Sequence, residues 1–202
     1  MKIKKIVKYV VMVAISLCLA LTLGGNTQTM AKSKVVKVKV TTKEKNCKFY
    51  GIVKGLDRNG NVVWKYKTPK EPAAELSCVL CKTRGNCVYI VTAGRFIRLN
   101  KNTGKIICNV KKYDLGGATS LNVQKNGVCY ITTYYDNFLL KFSKKGKVIW
   151  KTDFNKTQYY WPYKVKVKKN KLYVWFDASN KNVKLPHKMV INKKNGKILS
   201  GA

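Results

Sequence analysis

Four stretches of the chain repeat one pattern of apolar and polar positions: a β-branched or aromatic run, a polar turn closing on glycine, then a second apolar run. They cover 56–64, 99–108, 142–150 and 191–200 and close on Gly60, Gly104, Gly146 and Gly196. Glycine supplies the positive φ of a tight turn, so each stretch predicts strand, turn, strand. Between them lies a second recurring pattern. First strands are predicted over 75–82, 120–125 and 163–168, and second strands over 87–92, 128–133 and 171–176, the latter carrying Tyr89, Tyr130 and Tyr173 at one distance from their turns. The turns at 84–86, 126–127 and 169–170 have hairpin chemistry.

The repeat glycines fall 44, 42 and 50 residues apart, within the period of about 40–50 residues that propeller blades have. The second strands are apolar on both faces; over 172–176 odd and even positions are equally apolar, which predicts a strand packed between neighbouring blades. The expected fold is all-β, a propeller-like array of about four blades, each a four-stranded antiparallel meander. The units fall at about 32–68, 73–111, 118–154 and 162–202. The first is thinner: 35–42 alternates Val and Lys, and 48–56 leads into the Gly60 turn, so three strands are visible there. Two closures are open: 35–42 lying near the last blade, or a homodimer joined through the terminal edges.

These residues resemble the repeat of pyrroloquinoline-quinone-type, quinoprotein-like β-propellers, over roughly 48–200. Asn100, Thr103 and Gly104 match the turn of that repeat, and Trp64 and Trp150 match its Trp, which in the family docks between blades. Cys108 and Ser200 stand where the other two Trp would be, which implies weaker docking there. The resemblance implies the architecture, while function must come from the site. A quinone enzyme of this kind would need calcium-holding carboxylates and a vicinal cysteine pair, and this chain has eight scattered acids and no Cys-Cys step. No cofactor, no metal site and no catalytic residue is expected.

Charge changes the picture most. The chain of 202 residues has 42 Lys and Arg against 8 Asp and Glu, a formal net charge of +34. Residues 1–8 hold Lys2, Lys4, Lys5 and Lys8 and no acid, an apolar run follows to Leu23, and Thr29-Met30-Ala31 fits signal-peptidase cleavage after Ala31. The expectation is a signal peptide over 1–31, a repeat domain over 32–202, and a secreted or cell-wall address with no membrane span after cleavage. Most of the positive charge stays with the folded part, where it attracts polyanions.

Propeller topology sends the turns after first and third strands to one end. That end carries Lys101, Lys105, Lys144, Lys145, Lys147, Lys193, Lys194 and Lys197, together with Lys125, Lys168 and Lys169, the predicted polyanion face. The other end receives the remaining loops and a predicted binding face of Arg95, Tyr134, Tyr135, Asp136, Asn137, Tyr159, Tyr160 and Trp161, suited to a glycan or protein. His187 is the single histidine, and a small enzyme would need Asp136, Asp177 and His187 around one pocket. Cys47, Cys78, Cys81, Cys87, Cys108 and Cys129 allow three disulfides or free thiols. The sequence thus predicts an exported, non-catalytic binding module held by anionic surface polymers, with nucleic-acid binding as the competing polyanion reading.

Overall fold

The computed structural model describes residues 34–72, 79–111, 115, 117–180 and 184–201. The predicted signal peptide and its cleavage point, Cys78, and the acids Glu75 and Asp114 lie outside them. All regular elements in the described residues are strands, arranged as four antiparallel four-stranded sheets in a propeller-like array. Blade 1 holds β1 (Lys37–Glu44), β2 (Lys48–Leu56), β3 (Val62–Lys67) and β4 (Glu71–Pro72). Blade 2 is the meander β5 (Leu80–Arg84), β6 (Cys87–Val91), β7 (Phe96–Asn100) and β8 (Ile106–Val110). Blade 3 is β9 (Ala118–Val123), β10 (Cys129–Thr133), β11 (Phe138–Phe142) and β12 (Val148–Asp153). Blade 4 is β13 (Tyr159–Lys168), β14 (Lys171–Ser179), β15 (His187–Asn192) and β16 (Ile198–Ser200).

Blade 1 is thin, as its sequence predicts. β4 pairs with Lys48 and Phe49 on the same edge of β2 that β3 uses, because β1 holds the other edge at Phe49. Aligned on the glycine turns, β1 to β3 correspond to second, third and fourth strands. The place of a first strand beside β1 is unfilled among the described residues. The four repeat glycines have φ between 68° and 84°, which a side chain would strain.

Three apolar seams join successive blades. Val53 and Trp64 of blade 1 pack on Val88, Ile90, Ile97 and Leu99 of blade 2. Phe96 of blade 2 stacks on Phe142 of blade 3 at 5.2 Å, within a core that includes Tyr89 and Ile131. Tyr130, Leu139 and Phe154 of blade 3 meet Val174, Phe176 and Ile191 of blade 4. Burial follows from this order. Val88–Val91 and the whole of β10 are buried on both faces, whereas β2 and β14 bury only alternate residues. The expectation that 171–176 is covered on both sides is corrected here. Leu172, Val174 and Phe176 enter the seam, while Tyr173 and Trp175 face outward beneath lysines, Lys188 at 5.8 Å from the Tyr173 ring and Lys164 at 5.1 Å from that of Trp175. Lysine stems shelter an apolar ring well while keeping their charge in water, so aromatic character on a strand does not require a further blade.

None of the three seams links blade 4 to blade 1, and β1 takes β2 as its partner strand. The expectation that 35–42 pairs near the last blade is not met: the array is open among the described residues. Docking at the seams follows the repeat. Trp64 lies over Gly104 of the next blade, where an added Cβ would come within 2.7 Å of the indole, and its Nε1 donates to the Lys101 carbonyl at 2.7 Å. The Trp150 ring covers Gly196 likewise, without a hydrogen bond from its Nε1, and Gly146 is covered by Val110 and Phe96 with the Cys108 sulfur beside them. Ser200, in the fourth such position, is exposed and has no glycine turn to cover.

Candidate functional site

The turns after first and third strands gather at one end, tied by backbone bonds from Lys101 N to Asn86 O at 2.8 Å and from Lys193 N to Asn170 O at 3.0 Å. Contacts also run between blades: Arg98 donates to the Lys144 carbonyl at 2.6 Å, and Lys141 Nζ to the Lys193 carbonyl at 3.1 Å. Lys105, Lys144, Lys145, Lys147, Lys194 and Lys197 are exposed there, and Lys101 and Lys193 are half-buried. The described acids are sorted the other way. Glu44, Glu71, Asp136, Asp153 and Asp177 sit at strand ends or turns of the opposite end. Asp57 is the exception, and its carboxylate caps its own turn by accepting from Asn59 N and Asn61 N, both at 2.9 Å.

At that opposite end Trp161 stacks on Tyr134 at 4.9 Å, with Tyr160 edge-on to Trp161 at 5.1 Å and Tyr135 edge-on to Tyr134 at 5.3 Å. Tyr135 is 43% and Trp161 40% exposed, so this cluster offers ring faces to solvent. The sequence placed residues 159–161 in a loop; they begin β13 instead. A bulge explains the misreading. The pairing register shifts between Pro162 and Lys164, which puts the extra residue at Tyr163, and just before it Trp161 takes φ 63° and is left exposed. Other predicted members serve the fold. Tyr159 is buried in the seam between blades 3 and 4 and stacks on His187 at 3.7 Å. Asn137 is buried and donates to the Tyr159 carbonyl at 3.1 Å. Arg95 is held by Glu71 at 3.5 Å and by Asn109 at 3.1 Å, while the Asp136 carbonyl accepts from Asn155 at 3.0 Å.

No family model matches the chain, and no curated protein does. Solved structures do. BamB from Moraxella catarrhalis matches at 14% identity and TM-score 0.50, covering 82% of this chain and 50% of that one. A europium-containing methanol dehydrogenase matches at 12% and 0.54, covering 87% and 44%. Streptogramin B lyase matches at 19% and 0.51, covering 84% and 55%. All three are β-propeller proteins. The chain has a β-propeller fold. It spans about half the length of these proteins. Two of these three proteins are named as enzymes, so the fold alone leaves catalysis undecided.

His187 spends its ring on Tyr159 and its Nε2 on the Gly201 carbonyl. Among the described cysteines, Cys47 is an exposed thiol, Cys81, Cys87 and Cys108 are half-buried, and Cys129 is buried. Burial pushes the Cys81 thiol up to about 11 and that of Cys129 up to about 12; it likewise raises the Tyr130 phenol to about 12. The native state therefore favours the protonated forms. The stability they contribute is intact below the ordinary thiol value of 9.0 and is lost as pH rises towards about 12. Thermal melts followed by circular dichroism should fall across this window; an unchanged midpoint up to its top would contradict the burial. A maleimide at neutral pH should label Cys47 first, and Cys129 only on unfolding.

Proposed function

We propose that the protein is an exported, non-catalytic binding module that attaches through its lysine end to an anionic cell-surface or wall polymer and presents the aromatic end to a protein or glycan. The observation that carries this reading is the one-sided placing of the acids: exposed lysine turns converge at an end where Asp57 is the one described acid, while at the other end exposed lysines such as Lys45, Lys70 and Lys156 are interspersed with the remaining described acids. Such a field orients the molecule on a polyanion and is screened beyond about 10 Å at 0.1 M salt. The stacked Tyr134 and Trp161 then point away from the surface, where ring faces suit sugars or apolar side chains. Co-sedimentation with purified wall polymer should weaken steeply as salt rises and should be lost in a Lys144→Glu, Lys145→Glu, Lys147→Glu variant. Retention that ignores salt would overturn the electrostatic attachment. Duplex DNA displacing the wall polymer at equal charge concentration would favour the nucleic-acid reading, because Lys–phosphate contacts release counterions in either case.

A further inference from the structure

Between blades 2, 3 and 4 at the lysine end, a cleft of about 470 Å³ is lined by Arg84, Gln124, Lys125, Asn126, Val128, Tyr130, Lys141 and Lys193. Four of these are cations and none is an acid. Lys141 is an odd residue for its position: β11 reads Phe-Leu-Leu-Lys-Phe, and the lysine is partly withdrawn from water, its Nζ on the Lys193 carbonyl and 5.7 Å from the Trp150 ring. Desolvation, together with the charge of Lys193, lowers its pKa. Two cations have been brought together with no counter-charge in the lining.

The second observation is independent of charge. Tyr130 is fully buried in the wall of this cleft, and its hydroxyl has no hydrogen-bond partner. A buried hydroxyl left unpaired is a cost to the fold that phenylalanine would avoid. Asn126 adds a donor, since its carbonyl oxygen already accepts from Val128 N at 3.1 Å and leaves its amino group free for the cleft. The cleft therefore offers an excess of donors and positive charge and has no anionic acceptor in its lining.

We propose that this cleft is a phosphate-group site, in which one phosphate of a phosphodiester polymer sits between Arg84, Lys125, Lys141 and Lys193 and accepts from the Tyr130 hydroxyl. A phosphate carries several acceptor oxygens and matches guanidinium and ammonium donors arriving from different strands. The volume leaves room for the linking groups on either side. The inference rests on the polyanion reading above and narrows it from a diffuse lysine surface to one built pocket.

The test uses the full folded chain and a glycerol phosphate oligomer, titrated calorimetrically, with polyglutamate of equal charge as comparison. Tyr130→Phe should melt no lower than the parent and yet bind the oligomer about tenfold more weakly, the loss of one hydrogen bond to a charged group. Lys141→Met should also fold and lose roughly tenfold or more. Both should affect polyglutamate little. Parent-like affinity for the oligomer in both variants would overturn the pocket while leaving the lysine-end attachment standing. Equal sensitivity towards polyglutamate would overturn the assignment to phosphate. No binding of either polymer by the parent would overturn the attachment itself.

Discussion

Replacing Trp64 by alanine is expected to cost about 3–5 kcal/mol, the range for removing a buried large aromatic side chain, and to loosen blade 1 before the rest of the array. The indole does three things at once. It fills the seam with Val53, Val88 and Leu99, its ring lies on Gly104, and its Nε1 satisfies the Lys101 carbonyl at 2.7 Å. Truncation leaves a cavity and an unpaired carbonyl together. Gly104→Ala should act from the other side of the same contact. A Cβ there would come 2.7 Å from the indole, at a φ of +68° that alanine tolerates poorly, and overpacking of this kind costs about 1–3 kcal/mol. Ser200→Ala, at the equivalent position of blade 4, should be silent, because Ser200 covers nothing. Hydrogen exchange provides the check: in the Trp64 variant β1 and β2 should lose protection while β10 and β11 keep theirs. Uniform loss across all four blades would show that the seam between blades 1 and 2 is not a separable unit.

The contrast between Trp64 and Ser200 shows how far the sequence carries the fold. The glycine turns were readable because only glycine takes the required φ cheaply, and the strands on either side followed from β-branched and aromatic runs. The lysine end was readable too, since turn positions in a meander alternate between two ends. Three things were not. The positive φ of Trp161 and the bulge between Pro162 and Lys164 interrupt the pleat without a marker such as glycine, so 159–161 read as a loop. The exposure of Tyr173 and Trp175 was hidden because lysine stems from neighbouring strands do the covering, and those lysines are not adjacent in sequence. The cleft around Tyr130 draws on β5, the turn after β9, β10, β11 and the turn after β15, a grouping that no local pattern records. Lys141 was its one visible signal, a lysine inside an otherwise apolar strand.

The array, open among the described residues, makes a sharp expectation about association. Two copies could complete a ring only by laying the free face of blade 4 against the free face of blade 1 of the partner. Cross-strand register identifies both faces. On blade 1, Lys39, Lys54 and Lys65 lie directly opposite one another across three strands, and Lys37 and Lys67 share that face. On blade 4, Lys164 and Lys188 flank Trp175, and Lys166 sits opposite Tyr173. Each seam inside the chain is apolar, whereas this one would oppose two rows of lysine, and like charges so placed cost on the order of several kcal/mol. The protein should therefore sediment as a monomer at low salt when no polyanion is present. Reversing one row should change this. A Lys39→Glu, Lys54→Glu, Lys65→Glu variant presents acids to the lysines of blade 4 and should form dimers or longer chains that separate again as salt is raised. A parent protein that is already dimeric at low salt, or a triple variant that stays monomeric there, would show that these faces do not govern association.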